Sequence, residues 1–162
     1  MITAYVGVGS NIDRHKHVEA AVRELSQIGD KLRISTIYEC ASVGFNSGAF
    51  YNLVVALDTT LTLSEFALQL RDIEHRWGRD LQAKKFQDRT LDLDIILFGE
   101  EVSVQDPELP RSDIFKYPFV IQPLYDLSPE LIIPNDDRSV RQIWQQSINL
   151  GSLNSVEPWF NI

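Results

Sequence analysis

Apolar and polar residues alternate in four stretches of this chain, and each alternation predicts a β-strand. Ile2, Ala4, Val6 and Val8 form the first. The second runs from Lys31 to Cys40, with Leu32, Ile34, Thr36 and Tyr38 on one face. The third, Tyr51 to Thr59, is richer in Val and Leu and reads as a central strand. In the fourth, Leu91, Leu93, Ile95 and Leu97 make a core face. Asp92 and Asp94 share the other face, followed there by Ile96 and Phe98. Between these strands the spacing becomes helical. Val18, Ala21, Val22 and Leu25 predict an amphipathic helix from about Asp13 to Ile28. Thr62-Leu63-Ser64-Glu65 is a capping box that opens a second, lined by Phe66, Leu70, Ile73 and Trp77 and stopped by Gly78.

The order β-α-β-β-α-β is the split pattern of ferredoxin-like α+β folds, which stack helices on one sheet face and leave the other for a site. Beyond it, Glu100-Glu101-Val102 reads as a turn. Phe115, Phe119, Ile121 and Leu124 suggest a helix broken by Pro118 and Pro123, and Ser139 to Ser147 a last short one. The tail from Val156 to Phe160 is expected to fold back on the body. With no repeat and no linker, residues 1–162 read as a single domain with C-terminal helical and short-strand additions.

Composition narrows the class. Hydrophobic content of 44% and charged content of 23% are globular values. A net charge of -8 argues against a general nucleic-acid binder, which needs a basic face. The lone cysteine, Cys40, has no internal disulfide partner, and no apolar run reaches membrane-spanning length. Met1 to Tyr5 carries no basic n-region. These features lead us to expect a cytoplasmic protein that is monomeric and works without nucleic acid or membrane.

Candidate chemistry centres on Asp92 and Asp94, whose Cα atoms lie about 6–7 Å apart if the stretch is a strand. Like charges so close raise each other's pKa unless a cation holds them. A hard cation such as Mg²⁺ takes carboxylate oxygens and keeps positions open for phosphate; a solvated edge-strand face is the plainer alternative. Arg79 to Arg89, just upstream, carries four cations and two acids. A basic run entering an acidic pair suits an anion that brings its own metal, such as ATP·Mg, or else is a solvated loop. Gly7-Val8-Gly9-Ser10-Asn11 fails as a dinucleotide fingerprint, because Ile12 stands where a third glycine belongs, and it is no Walker loop. His15 and His17 diverge on a helix and read as surface residues. Ala41 to Phe50 is longer than a hairpin needs, and its two aromatics could close over a flat heterocycle.

The string Arg89-Thr90-Leu91-Asp92-Leu93-Asp94-Ile95-Ile96-Leu97-Phe98-Gly99 resembles the signature of the 6-hydroxymethyl-7,8-dihydropterin pyrophosphokinases. Similarity extends from Tyr5 to Leu131. The resemblance implies transfer of diphosphate from ATP to a reduced pterin alcohol, with AMP leaving. It implies that Asp92 and Asp94 bridge two Mg²⁺ ions to the phosphates and that Arg79 and Arg89 steady the transferred group. Asn52 would read the pterin edge and Phe119 would stack on the ring, with Val43 and Phe50 from the preceding loop. Glu74, Lys85, Ile95 and Arg111 would belong to the ATP site. There are departures: Phe86-Gln87-Asp88 stands where the family has Trp-Gly-Pro, Arg111 where it has a nucleotide-contacting histidine, and Tyr117 where it has an arginine. Leu81 and Gln82 fall at places that are often basic. These departures keep in view a second reading, a pterin- or nucleotide-binding paralogue without transferase activity.

Overall fold

The structure is a computed structural model that describes residues 1–41, 48–78, 90–147 and 153–162. Its elements are β1 (Ile2–Ser10), α1 (Arg14–Leu25), β2 (Asp30–Ile34), β3 (Ile37–Cys40), β4 (Phe50–Thr59), α2 (Leu63–Arg76), β5 (Asp92–Phe98), a 3-10 turn (Ser112–Phe115), α3 (Pro118–Leu127), α4 (Val140–Gln146) and β6 (Asn154–Val156). The strands form one antiparallel sheet in the order β5-β1-β4-β3-β6, with β2 also on β4. β1 and β4 lie inside it, and the aspartate strand β5 is terminal.

Two cores sandwich this sheet. On one face Val18, Ala21, Val22 and Leu25 of α1 and Phe66, Leu70 and Ile73 of α2 pack on Val8, Leu53, Val55, Leu93 and Ile95. The capping box predicted for α2 is present: Glu65 N–H donates to Thr62 Oγ1, and Thr62 N–H to Glu65 Oε1. Gly78 follows the helix at φ 96°, where a side chain would be strained. On the second face Tyr5, Val54, Ala56, Ile96 and Leu97 meet Ile114, Val120, Ile121 and Leu124, with Val140 and Ile143 behind. Helices therefore cover both faces, and among the described residues Asp92, Asp94, Gly7, Gly9 and Asn52 stand at an end of the second face that its core does not include. Among the described residues no helix is long and apolar enough to cross a membrane.

Several expectations need correction. The predicted second strand is two, because Ser35 interrupts it. Ser35 N–H donates to the Val54 carbonyl while Ser35 Oγ accepts from Val54 N–H. The pairing slips by one residue across this bulge, from Ile34 opposite Val55 to Tyr38 opposite Asn52. Tyr38 consequently faces away from Leu32 and Ile34, since one inserted residue reverses a period-two pattern. The same happens in β5, where Val6 pairs with Ile95 but Tyr5 with Leu97. Leu97 joins the second core beside Ile96, and Phe98 the first.

The prolines do not break the third helix: Pro118 opens α3 at its first turn, where a missing N–H costs nothing, and Pro123 sits inside it. His17 is buried, its Nδ1 2.6 Å from the Ile12 carbonyl, whereas His15 is exposed against Tyr51 and Trp159. The tail does fold back. β6 pairs with β3, and Trp159 Nε1 donates to the His15 carbonyl.

Candidate active site

Cross-strand partners share a sheet face, so the ladder registers lay out the site row by row. Asp92 stands opposite Gly9, Gly9 opposite Asn52, and Asn52 opposite Tyr38. One row further in come Asp94, Gly7 and Val54. The two glycines give this end of the sheet a floor without side chains, flanked by carboxylates on β5 and an amide on β4. A methyl group on Gly9 would lie 3.0 Å from Asn52 Oδ1 and 3.7 Å from Phe50 Cδ2. The Asn52 amide thus leans over the glycine, and Phe50 borders it.

Three interactions fix the acidic side. The Leu93 N–H, between the two aspartates, donates to Glu74 Oε2 of α2 at 2.8 Å, and Glu74 is itself buried. The Ile96 carbonyl accepts from Arg111 N–H at 3.0 Å, which moors the segment after Pro110 alongside β5. Arg111 then extends Nη2 to 3.6 Å from Asp94 Oδ2 while its Nε donates to Asp113 Oδ2 at 2.8 Å. Burial pushes the Asp94 carboxyl up to about 7, and the negative charges of Asp92, Asp113 and Glu74 add to this, opposed by Arg111. Two acids held together, one of them with its pKa raised by burial and by its neighbour, form a donor set that favours a cation.

The pterin-side expectations fall on β4 and α3. Asn52 and Phe50 are half-buried at the start of β4. Phe119 is the second residue of α3 and stacks on Tyr117, ring centroids 4.9 Å apart and 18° from parallel. Tyr38 is anchored by its hydroxyl, which donates to Asp126 Oδ2 at 2.6 Å. Cys40, whose thiol is pushed up to about 11 by burial, is a protonated packing residue at neutral pH.

The structure therefore brings Asp92, Asp94 and Arg111 together and sets Asn52 and Phe50 across the glycine floor from them. Glu74, expected at the nucleotide site, holds the backbone of β5 from below. Ile95, also expected there, is buried on the opposite face with Leu93 and Val8, because it is an odd member of the alternation whose even members are the aspartates. Arg79, Lys85, Arg89 and Val43 lie outside the described residues. Asp113 was missed in sequence; its only signal is an acid two residues after Arg111, which spacing cannot distinguish from a surface charge.

A ferredoxin-like sheet whose open edge carries a cation-seeking carboxylate pair beside an anion-seeking arginine is the framework of a nucleotide-dependent transferase. The chain belongs to the 7,8-dihydro-6-hydroxymethylpterin-pyrophosphokinase family, whose model matches residues 5–129. It is 34% identical over 142 residues to the 2-amino-4-hydroxy-6-hydroxymethyldihydropteridine pyrophosphokinase of Aquifex aeolicus, covering 83% of this chain and 85% of that protein. To the enzyme of the same name from Haemophilus influenzae it is 33% identical, covering 83% and 87%. Among solved structures, wild-type Plasmodium falciparum HPPK-DHPS superposes with a TM-score of 0.71 at 12% identity, over 91% of this chain and 45% of that longer one. At that identity the likeness supports the fold alone.

Proposed function

We propose that this chain transfers diphosphate from ATP to the hydroxymethyl group of 6-hydroxymethyl-7,8-dihydropterin and releases AMP. The observation that supports this reading is the single row Asp92–Gly9–Asn52, a carboxylate and an amide on either side of one glycine floor. The alcohol oxygen attacks the β-phosphorus of ATP, the bond from that phosphorus to the α,β-bridging oxygen breaks, and the hydroxyl proton leaves with solvent. Such transfer asks the protein mainly for in-line positioning and charge neutralisation.

The chain's own residues answer both needs. Asn52 supplies a donor and an acceptor to the polar edge of the pterin, Phe50 and Phe119 supply aromatic faces, and Tyr38 beside Asn52 is locked by Asp126. Arg111 presents a fixed positive charge to a phosphate oxygen. We assign the transferred group to Arg79 and Arg89, and further nucleotide contact to Lys85, on their place in the family pattern.

The carboxylate pair fits Mg²⁺ in donor type, hard oxygens only. Among the described residues no third His, Cys, Asp or Glu completes a closed metal cage, so phosphate and water oxygens would fill the remaining positions. Asp92 and Asp94 would hold two such ions, which supply neutralisation of phosphate charge when bound. Residues 1–162 act in this reading as one domain.

The test is AMP release from ATP and Mg²⁺ with and without the reduced hydroxymethylpterin. AMP formed only with pterin present supports the assignment. Saturable pterin binding without AMP would overturn it in favour of a binding protein.

A further inference from the structure

The carboxylate pair already has a cation beside it. Arg111 is tied at two points: its N–H bonds to the Ile96 carbonyl on the aspartate strand, and its Nε to Asp113 Oδ2 at 2.8 Å. Those ties aim Nη2 at Asp94 Oδ2, but at 3.6 Å, beyond the 2.7–2.9 Å typical of a charge-assisted hydrogen bond. The Asp113 contact is therefore the firm one, and the Asp94 contact is an attraction without a bond, easier to give up. The guanidinium side chain is only 25% exposed, so water screens it incompletely. It cannot shed its charge by losing a proton, so relief of any repulsion must come from movement or a new anion.

A divalent cation arriving alone at Asp94 would meet this arginine as a like charge. The same cation arriving on a triphosphate brings oxygens that Arg111 can take instead, and Asp113 grips Nε rather than the terminal nitrogens that would turn to them. We propose that Arg111 is a resident counter-ion of the carboxylate pair: it excludes free divalent cations from Asp94 and yields to the metal–nucleotide by shifting from carboxylate to phosphate. Metal and nucleotide then load as a coupled pair. This rests on the diphosphotransferase reading and adds to it a role that a neutral residue at position 111 could not fill.

The test uses Mn²⁺, titrated by electron paramagnetic resonance against the full chain, alone and with α,β-methylene-ATP, whose bridge cannot break. In the wild type the analogue should tighten Mn²⁺ binding at least about tenfold, within the usual range of coupling between two sites. R111Q should bind free Mn²⁺ about tenfold tighter than the wild type and lose most of the analogue's effect. R111K, which keeps the charge, should stay with the wild type. Equal free-Mn²⁺ affinity in wild type and R111Q, with analogue-dependent binding intact, would overturn the counter-ion role and leave the function standing. R111K following R111Q would also overturn it, since the effect would then not be one of charge. Absence of any analogue-dependent Mn²⁺ binding in the wild type would defeat both. If R111Q does not fold, the wild type still decides: Mn²⁺ bound as tightly without the analogue as with it refutes the proposal.

Discussion

Replacing Gly9 with alanine separates the site from the fold more cleanly than removing any functional side chain. The new methyl would lie 3.0 Å from Asn52 Oδ1. Carbon and oxygen at rest stay about 3.4 Å apart or more, so the amide must yield by about 0.4 Å. A hydrogen bond from Asn52 to a bound heterocycle, stretched by that much from about 2.9 Å, passes the 3.2 Å limit of good geometry. One neutral bond lost or weakened is worth about 0.5–1.5 kcal/mol, so the pterin Kd should rise by roughly two- to twelvefold. The fold should hardly notice. Gly9 does not occupy the left-handed region, and alanine reduces unfolded-state entropy by up to about 1 kcal/mol, which offsets the crowding. Calorimetric titration with hydroxymethylpterin, paired with urea unfolding, measures both quantities. The same substitution at Gly7 meets the Ile96 side chain, Cδ1 at 3.2 Å and Cγ1 at 3.5 Å, and the Asp94 carbonyl at 3.8 Å, none of them Asn52, and should leave pterin affinity alone. An unchanged Kd in Gly9→Ala, or an equal loss in Gly7→Ala, would refute the Asn52 amide beside Gly9 as the reader of the pterin edge.

Two further outcomes follow from the acidic side. Glu74→Ala deprives the Leu93 N–H of its buried acceptor and should cost about 1–3 kcal/mol in urea unfolding, whereas Glu74→Gln, which can still accept, should lose less than half of that. Equal losses would mean that the hydrogen bond to β5 is not what Glu74 contributes. Asp94 predicts a pH slope. Its folded pKa, raised to about 7 by burial and by Asp92, lies above its ordinary value of 3.8, so the folded chain binds the extra proton between those limits. Stability of the metal-free protein should therefore decline as pH rises from 4 to 7 through this group, and Asp94→Asn should flatten that decline. A slope unchanged in the variant would assign it to other groups.

Much of the molecule was legible in the chain as written. The periodicities gave the helix faces of Val18, Ala21, Val22 and Leu25 and of Phe66, Leu70 and Ile73, because a buried stripe must repeat with the helix. The capping box at Thr62 is a local hydrogen-bond pattern and needs no tertiary context. Asp92 and Asp94 on one strand face, opposite Leu93 and Ile95, follow from the two-residue repeat alone. Where the alternation met a bulge, sequence reasoning failed at once, and Tyr38, Leu97 and Phe98 changed faces. An inserted residue is chosen by partners across the sheet, such as the Ser35 exchange with Val54, that adjacency in sequence does not reveal.

The pairing of β1 between β4 and β5 is what turned Gly7 and Gly9 from glycines of uncertain purpose into a floor between carboxylates and Asn52. Tertiary structure also buries Glu74 beneath the strand, where it accepts from the Leu93 N–H, and packs the Ile95 side chain into the core. It added Asp113, because the segment that carries it reaches the site only through contacts with β5, the 3.0 Å from Arg111 N–H to the Ile96 carbonyl and the 3.6 Å from Arg111 Nη2 to Asp94 Oδ2. The chain's local patterns determined which residue types were available for the chemistry. Long-range register decided which of them share a face, since a side chain's direction is set by its neighbours across the ladder and not by its neighbours along the chain.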